Sequence, residues 1–389
     1  MERQDAVVIG AGGGVGAAAL FHLARRGVRV LGLDRFPPGH DRGSSHGDTR
    51  IIRLAYMEAP QYVPLLRRSF ALWSELEGIS GQTLYHDVGL LQVGPPTCAV
   101  LRGIEASAAA HGLDVETLTG PQVEARFPAF RVPDGLCGLF DRCAGYLWVE
   151  RCTQAHVDAA LRAGASLRSG VAVRGWRAEG QGVVVETDQG PIAAARLVIA
   201  PGAWASQLLA GLELPLLVRR KPLFWFRSAE PRYAAGPCPT FLFQLEDGSI
   251  FYGFPSVDGQ ALKCAEHTGG GEVRDPLEVD RGLDQAERAR VEGFLRAHLP
   301  GVSGELYKHA VCMYTLTPDE HFVLDRHPQH PQVAFCAGLS GHGFKMVPVL
   351  GEVLTQLLLD GRTPHPVEFL RLDRPALRPG AARTGLLGG

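Results

Sequence analysis

Four lysines, a pair of arginines and one cysteine are the residues through which this chain could do chemistry. Of its 39 basic residues only Lys221, Lys263, Lys308 and Lys345 are lysines. Where arginine fills the surface, a lysine can be chosen for its chemistry, because a compact ammonium gives up its proton when buried and a guanidinium does not. Lys345 lies in LSGHGFKM, at the start of an apolar helical run. A cation is misplaced at a helix N-terminus, where free N–H groups favour anions, so something else must want it there. A lysine snorkelling to solvent is the bland alternative. Arg50 and Arg53 of GSSHGDTRIIR are three residues apart, and a helical turn beginning at Thr49 would direct both to one side, toward a carboxylate or a polarised ring. On these residues alone a solvated arginine pair is the simpler reading. YGFPSVDGQALKCAEH supplies Tyr252, Lys263 and His267. Its alternation suits a strand that turns Lys263 and His267 to one side, or else an exposed edge. Cys312, in HAVCMYTLTPDEHF, belongs to no metal box and no disulfide framework, and a buried free cysteine is by itself ordinary core filler.

The elements that must position these residues begin with a strand, a glycine loop, a helix and a second strand. DAVVIG is a short apolar run; GAGGGVG follows; AAALFHLARRG has helical periodicity closed by Gly27; VRVLGLD ends in Asp34. This is the opening βαβ of a dinucleotide-binding fold. Its glycines let backbone approach a pyrophosphate at the helix N-terminus, and Asp34 can accept from ribose hydroxyls while repelling an NADP 2′-phosphate. With Gly10 and Gly12 as the first two glycines the third falls at Gly16, so the loop is one residue longer than G-x-G-x-x-G. A register through Gly12, Gly14 and Ala17 fits the shorter pattern but starts two residues deeper.

Further along, helices are expected around 60–77, near 98–111 and over VERCTQAHVDAALRAGA. VAVRGW, GVVVET and AARLVIAPGAW read as strands returning to the first domain, and KPLFWF, TFLFQL and SIFYGFP as a second sheet with alternating aromatics. The chain closes with a strand, a glycine turn and an apolar helix, and the Arg/Gly/Leu-rich tail after about 375 is expected to fray.

With 389 residues, 46% hydrophobic and 21% charged, the chain can build two intimately packed domains. A net charge of −2 without a long basic run gives no support for a nucleic-acid or membrane-surface partner. No apolar run reaches the ~18 residues of a bilayer span, and the N-terminus has no secretory pattern, so a cytoplasmic location is expected. The eight cysteines are scattered without metal-ligand spacing, so neither a metal site nor disulfides are expected.

GSSHGDTRIIR, YGFPSVDGQALK, AVCMYTLTPDEHF and LSGHGFK, with the GAGGGVG start and LVIAPGAW, resemble the monomeric sarcosine oxidase family of flavoproteins, which includes N-methyltryptophan oxidase and pipecolate oxidase. The motifs run in family order from residue 7 to about 370. The resemblance implies an α/β fold of two domains: a discontinuous Rossmann-like FAD-binding domain (1–85, 150–215 and 320–389) and an interleaved substrate domain on a large mixed β-sheet (86–149 and 216–319). It implies FAD joined by a thioether from Cys312 to the flavin 8α-methyl. Arg53 and Lys345 would hold a substrate carboxylate; Arg50, with Thr49 and His46, would sit beside the flavin ring; Lys263 would promote reaction of reduced FAD with O2. Tyr252, His267, Tyr314 and Phe243 would line the substrate cavity. Val173 would meet the adenine, and Ser44, Gly341 and Gly343 would contact the cofactor. Phe243 stands where sarcosine-specific members have methionine, which reshapes the expected pocket. The implied activity is oxidation of a small N-methyl amino acid such as sarcosine by a monomer using O2. A bulkier N-methyl or cyclic substrate (N-methyltryptophan, pipecolate, proline), or a dehydrogenase subunit without oxidase turnover, are the alternatives.

Overall fold

In the computed structural model, which describes residues 2–378 and 380–387, the AVVI of DAVVIG forms the buried inner half of the strand Glu2–Ile9. This strand pairs parallel with Val30–Leu33 on one side and Ile192–Ile199 on the other. A parallel strand covered on both faces reads as a continuous apolar run, as here. Ser166–Arg168 adds beyond Val30–Leu33, antiparallel Gly182–Thr187 and Val173–Glu179 extend the opposite side, and Val333–Ala337 pairs parallel with Ile192–Ile199. The helix Gly14–Arg25 lies over this sheet and packs against the helices Val149–Arg162 and Val347–Asp360. Small residues permit the approach: a Cβ on Gly351 would lie 2.6 Å from the Ala18 backbone.

The second sheet has eight strands, from Leu306–Leu316 and Leu217–Arg227 through Ala261–Glu266, Ile250–Phe254 and Thr240–Gln244 to Leu90–Gly94, Cys137–Asp141 and Val115–Thr119. The pairing of Thr240–Gln244 with Leu90–Gly94 is parallel and the others are antiparallel. Helix Gln285–His298, capped by the Asp284 carboxylate on the Ala286 and Glu287 amides, covers one face, where phenylalanines 241, 243, 251 and 294 meet. The first sheet thus draws its strands from residues 2–33, 166–199 and 323–337, and the second from 90–141 and 217–316.

A third sheet has three strands, Thr49–Ile52, Gly145–Trp148 and Tyr85–Asp87. It corrects the helical turn expected at Thr49. The β-branched Ile51 and Ile52 pair with Tyr146 and Gly145, and this ladder outweighs the three-residue spacing of the arginines. The expected fraying of the tail is also corrected. Leu377 and Leu387 are buried, Leu387 against Tyr314 and Leu316, and the Leu386 and Leu387 amides donate to the Glu320 carboxylate at 3.0 and 2.5 Å. Pro379, Gly388 and Gly389 lie outside the described residues.

Candidate active site

A cleft of about 220 Å³ runs from the glycine loop to Lys345, with walls from both large sheets. At its first end Gly10, Gly13 and Gly14 line it where the helix Gly14–Arg25 begins. That helix has no acid in its first turn, so its positive dipole end faces the cleft. A Cβ on Gly13 would meet nothing closer than 3.5 Å, leaving room for a ligand to approach the backbone. The three other conspicuous glycines work differently. Gly10 turns the chain at φ +87°, and a Cβ on Gly16 would sit 2.0 Å from the Gly10 carbonyl oxygen, so Gly16 is where helix and strand touch. Gly12 does not line the cleft: its amide donates to Asp34 Oδ2 at 2.8 Å, and Phe36 N donates to Oδ1 at 2.9 Å. Asp34 and Val173 complete this end. The Gly14 amide donates to Ser45 Oγ at 3.1 Å and the Gly13 amide to the Gly10 carbonyl at 3.1 Å, so the feature that fits an adenine dinucleotide is an open helix N-terminus beside a carboxylate rather than a row of idle amides.

At the other end the strands Thr49–Ile52 and Leu306–Leu316 bring Arg50 beside Cys312, with Nη2 3.4 Å from Sγ. Cys312 is 1% exposed and lines the cleft. Ser44 lines it too, donating from Oγ to the Met313 carbonyl at 2.7 Å.

Beyond Cys312 the cleft ends among cations and rings. Arg53, 3% exposed, donates through Nη2 to both Glu58 oxygens at 3.0 and 2.9 Å, while its buried Nε has no hydrogen-bond partner. Burial alone would raise the Glu58 pKa, but Arg53, His342 and Lys345 hold it down at about 2. Lys345 stands in the single turn Phe344–Met346 that leads into Val347–Asp360. Ser69 Oγ and Trp73 Nε1 donate to its carbonyl at 2.6 and 3.0 Å, and its Nζ donates to the His342 carbonyl at 2.7 Å. Burial, then Arg53, lowers its pKa from 10.5 to about 7, against the pull of Glu58. Tyr56 offers its ring to both cations, at 5.0 Å from Arg53 and 5.2 Å from Lys345. The opposite wall is Tyr252, His267 and Tyr314, with His267 Nδ1 3.1 Å from the Tyr314 hydroxyl. Burial raises both phenol pKa values and lowers that of His267, helped by Lys221, so this wall is neutral. Gly341, at φ +78°, lies under the Tyr314 ring where a Cβ would come within 2.5 Å, and Gly343 lines the cleft beside it.

Besides Gly12 and Gly16, four expected residues stand off the cleft. Phe243 is a correction: it is fully buried on the far face of its strand, among Phe130, Phe294 and His298, and its neighbour Leu242 lines the cleft instead. Successive strand residues face opposite ways, so a one-residue difference in position exchanges core for cavity. Lys263 is 2% exposed behind the arginine strand, donating to the Gly47 and Thr49 carbonyls at 2.5 and 2.9 Å. Burial, then Arg50, pushes its pKa well below the ordinary value. Thr49 lies beside it, at 3.4 Å from Oγ1. His46 is buried with an unpartnered Nε2, its pKa lowered to about 3 by burial and by Arg50.

A sequence profile for FAD dependent oxidoreductases matches residues 5–357. The chain belongs to that family. The oxidoreductase is 40% identical over 387 residues to the monomeric sarcosine oxidase of Bacillus sp. (strain B-0618), covering 98% of each chain. It is 35% identical over 372 residues to the N-methyl-L-tryptophan oxidase of Yersinia pestis (strain Pestoides F), covering 95% of this chain and 99% of that one. Its fold is similar to that of NikD, described as an unusual amino acid oxidase essential for nikkomycin biosynthesis, with a TM-score of 0.86 at 27% identity, covering 95% of this chain and 98% of that one. Reasoning from sequence missed two residues of this flavoenzyme's site, Glu58 and His342. Glu58 follows Arg53 by five positions in an irregular segment, so no periodicity couples them, and His342 was visible only as part of a glycine turn.

Proposed function

We propose that this flavoenzyme oxidises a small secondary amino acid, sarcosine or a close N-methyl relative, to an imine that water hydrolyses to aldehyde and primary amine. The observation that carries this reading is the end of the cleft. Two buried cations, one with an idle donor, face a neutral aromatic wall in the same cleft as Cys312. Such a pocket takes a carboxylate at one side and a small uncharged body at the other. The names of the relatives support the N-methyl amine.

When bound, FAD accepts a hydride equivalent from the carbon next to nitrogen and passes two electrons to O2, giving H2O2. The chain's own residues set up that step. Arg53 offers Nε, and Lys345 its ammonium, to the substrate carboxylate. The amine must be unprotonated for its lone pair to assist, and three neighbouring cations, Arg50, Arg53 and Lys345, disfavour its ammonium form. Tyr252 and Tyr314 exclude water and keep the pocket narrow. Lys263 supplies positive charge that steadies negative charge acquired by O2. Cys312 would hold the cofactor by a thioether from Sγ to the flavin 8α-methyl, a linkage that would form with loss of one hydrogen from each partner and of two electrons to O2. The sarcosine oxidase relatives carry the word monomeric, and a sedimentation mass near 41.9 kDa is the matching expectation here.

The test is a peroxide assay over sarcosine, N-methyltryptophan, pipecolate and proline, run on wild type and Lys263→Met, with the protein then denatured in acid. Peroxide with sarcosine, slowed reoxidation in the variant, and yellow colour pelleting with wild type but not with Cys312→Ser are the expected results. Turnover only with a dye acceptor would sink the oxidase reading, and colour left wholly in the supernatant would sink the thioether.

A further inference from the structure

Another buried cation stands behind the substrate wall. Lys221, on the strand Leu217–Arg227, is 1% exposed and lies directly across the sheet from Cys312. Directly paired residues of antiparallel strands turn their side chains to the same face, so Lys221 emerges beside Cys312 and two residues from the partner of Tyr314. Its ammonium donates to three successive carbonyls, those of His267, Thr268 and Gly269, at 2.7, 3.0 and 2.5 Å. It also lies 5.0 Å from the centre of the Tyr314 ring.

Two features argue that this is more than an anchor for a turn. All three N–H donors are spent on neutral carbonyls, and among the described residues Lys221 has no carboxylate within ion-pair distance. A buried ammonium without a counter-ion is costly, and a turn can be tied down by neutral donors. The clamped carbonyls also belong to the segment that starts with His267, whose ring shares a hydrogen bond with Tyr314. The segment is then fixed again from the same strand: the Arg220 amide donates to the Gly271 carbonyl at 2.8 Å, and Arg219 Nη1 to the Gly270 carbonyl at 2.8 Å. Gly270, at φ +94°, passes so close that a Cβ would lie 2.2 Å from the Arg220 carbonyl oxygen.

We propose that Lys221 is a positioning residue of the substrate site, clamping residues 267–269 so that His267 and Tyr314 face the substrate, and placing behind them a positive charge that favours the substrate's carboxylate. The inference rests on the reading of this cleft as a carboxylate-binding amine oxidase site. Burial lowers the Lys221 pKa from 10.5 to about 7. The groups acting on it are Glu266 from its neighbour strand and His267 just beyond that strand's end, Arg219 from its own, Cys312 and Tyr314 from the strand opposite, and Glu287 from the covering helix. Glu266, Cys312 and Glu287 favour its charge and Arg219 opposes it. The charge is therefore present below pH 7 and lost above it, and capture of a carboxylate weakens in the same direction.

The probe is methoxyacetate, which has the shape of sarcosine with ether oxygen for nitrogen and does not itself titrate between pH 6 and 9. Its binding to the holoenzyme is followed by calorimetry in wild type, Lys221→Met and Lys221→Arg. Lys221→Met should bind roughly tenfold more weakly at pH 6, the order of a coupling between a positioning residue and a ligand site, with the gap closing by pH 9. Lys345 titrates in the same range, so the fall in wild-type affinity has two contributors. Lys221→Arg, which stays charged, should keep its pH 6 affinity and lose only part of the fall. A cycle with Tyr314→Phe should be non-additive, since both changes act on one wall. Equal affinity of Lys221→Met and wild type at both pH values would overturn the inference, whatever happened to thermal stability. Were Lys221→Met not to fold, a Lys221→Arg profile superimposing on wild type would overturn it alone. Wild type that takes no methoxyacetate at any pH would bring down the underlying reading of the site as well.

Discussion

Arg53 and Glu58 are partners that the reaction must separate in part, because the guanidinium that would take a substrate carboxylate already donates to one of the chain's own. The unpartnered Nε is a donor left for the substrate, and Lys345 adds the attraction of its ammonium. Lys345→Met should raise KM for an amino acid substrate by about 10- to 100-fold, the range of a charge-assisted hydrogen bond, with a smaller change in kcat. Steady-state kinetics over a wide substrate range checks this, and an unchanged KM would remove Lys345 from the carboxylate site. Glu58 makes a second prediction, on stability. Its folded pKa of about 2 lies below the ordinary 4.5, so its ionised form stabilises the fold above pH 4.5 and that contribution is lost as pH falls toward 2. Glu58→Gln leaves buried cations without their counter-charge and should cost about 3–5 kcal/mol at pH 7. Urea denaturation at pH 7 and pH 3 should show the two proteins converging at the lower value. Lys345 shifts with the opposite cause and the same trend: its charged form is strained below pH 7, and the strain is relieved as pH rises toward 10.5.

At the scale of elements, the strand Thr240–Gln244 separates core from cavity by parity alone. Phe243→Ala should lower stability by about 3–5 kcal/mol, as large aromatic truncations do, and leave KM unchanged. Leu242→Ala should change the preference for substrate size with a smaller loss of stability. Calorimetry and a substrate panel read both, and a shifted panel in Phe243→Ala would contradict the placement of its side chain. This strand also shows what the sequence could and could not disclose. The glycine loop and Asp34 were legible because everything they need lies within about thirty residues of chain. Apolar alternation revealed Thr240–Gln244 as a strand, yet not which of its faces met the cavity, since that depends on what the sheet packs against. Arg50 and Arg53 were picked out by type and misjudged in backbone, because ladder partners nearly a hundred residues away decide the local conformation. The clamp at Lys221 was invisible for the same reason, its partners becoming neighbours only in the folded chain, whereas Glu58 stands five residues from Arg53 in a segment without periodicity to couple them.

Over the whole molecule, the cleft exists only where the two large sheets meet, and a bound dinucleotide must contribute to holding them. The contact at Gly16 is the point where this can be probed without touching the substrate end. Gly16→Val places side-chain atoms against the Gly10 carbonyl and should push the helix from the strand, so that purified protein carries well under half of the wild-type flavin per chain. The flavin-to-protein absorbance ratio measures it, and full occupancy would show that the loop tolerates the intrusion. The order of strands in the first sheet has a consequence for biosynthesis. Glu2–Ile9 lies between segments made at positions near 30 and near 195, and the cavity is finished by residues around 345. A ribosome must therefore release almost the entire polypeptide before any cofactor can be loaded. Cells short of riboflavin should consequently accumulate completed but empty chains, exposed to proteases and chaperones during the interval before loading.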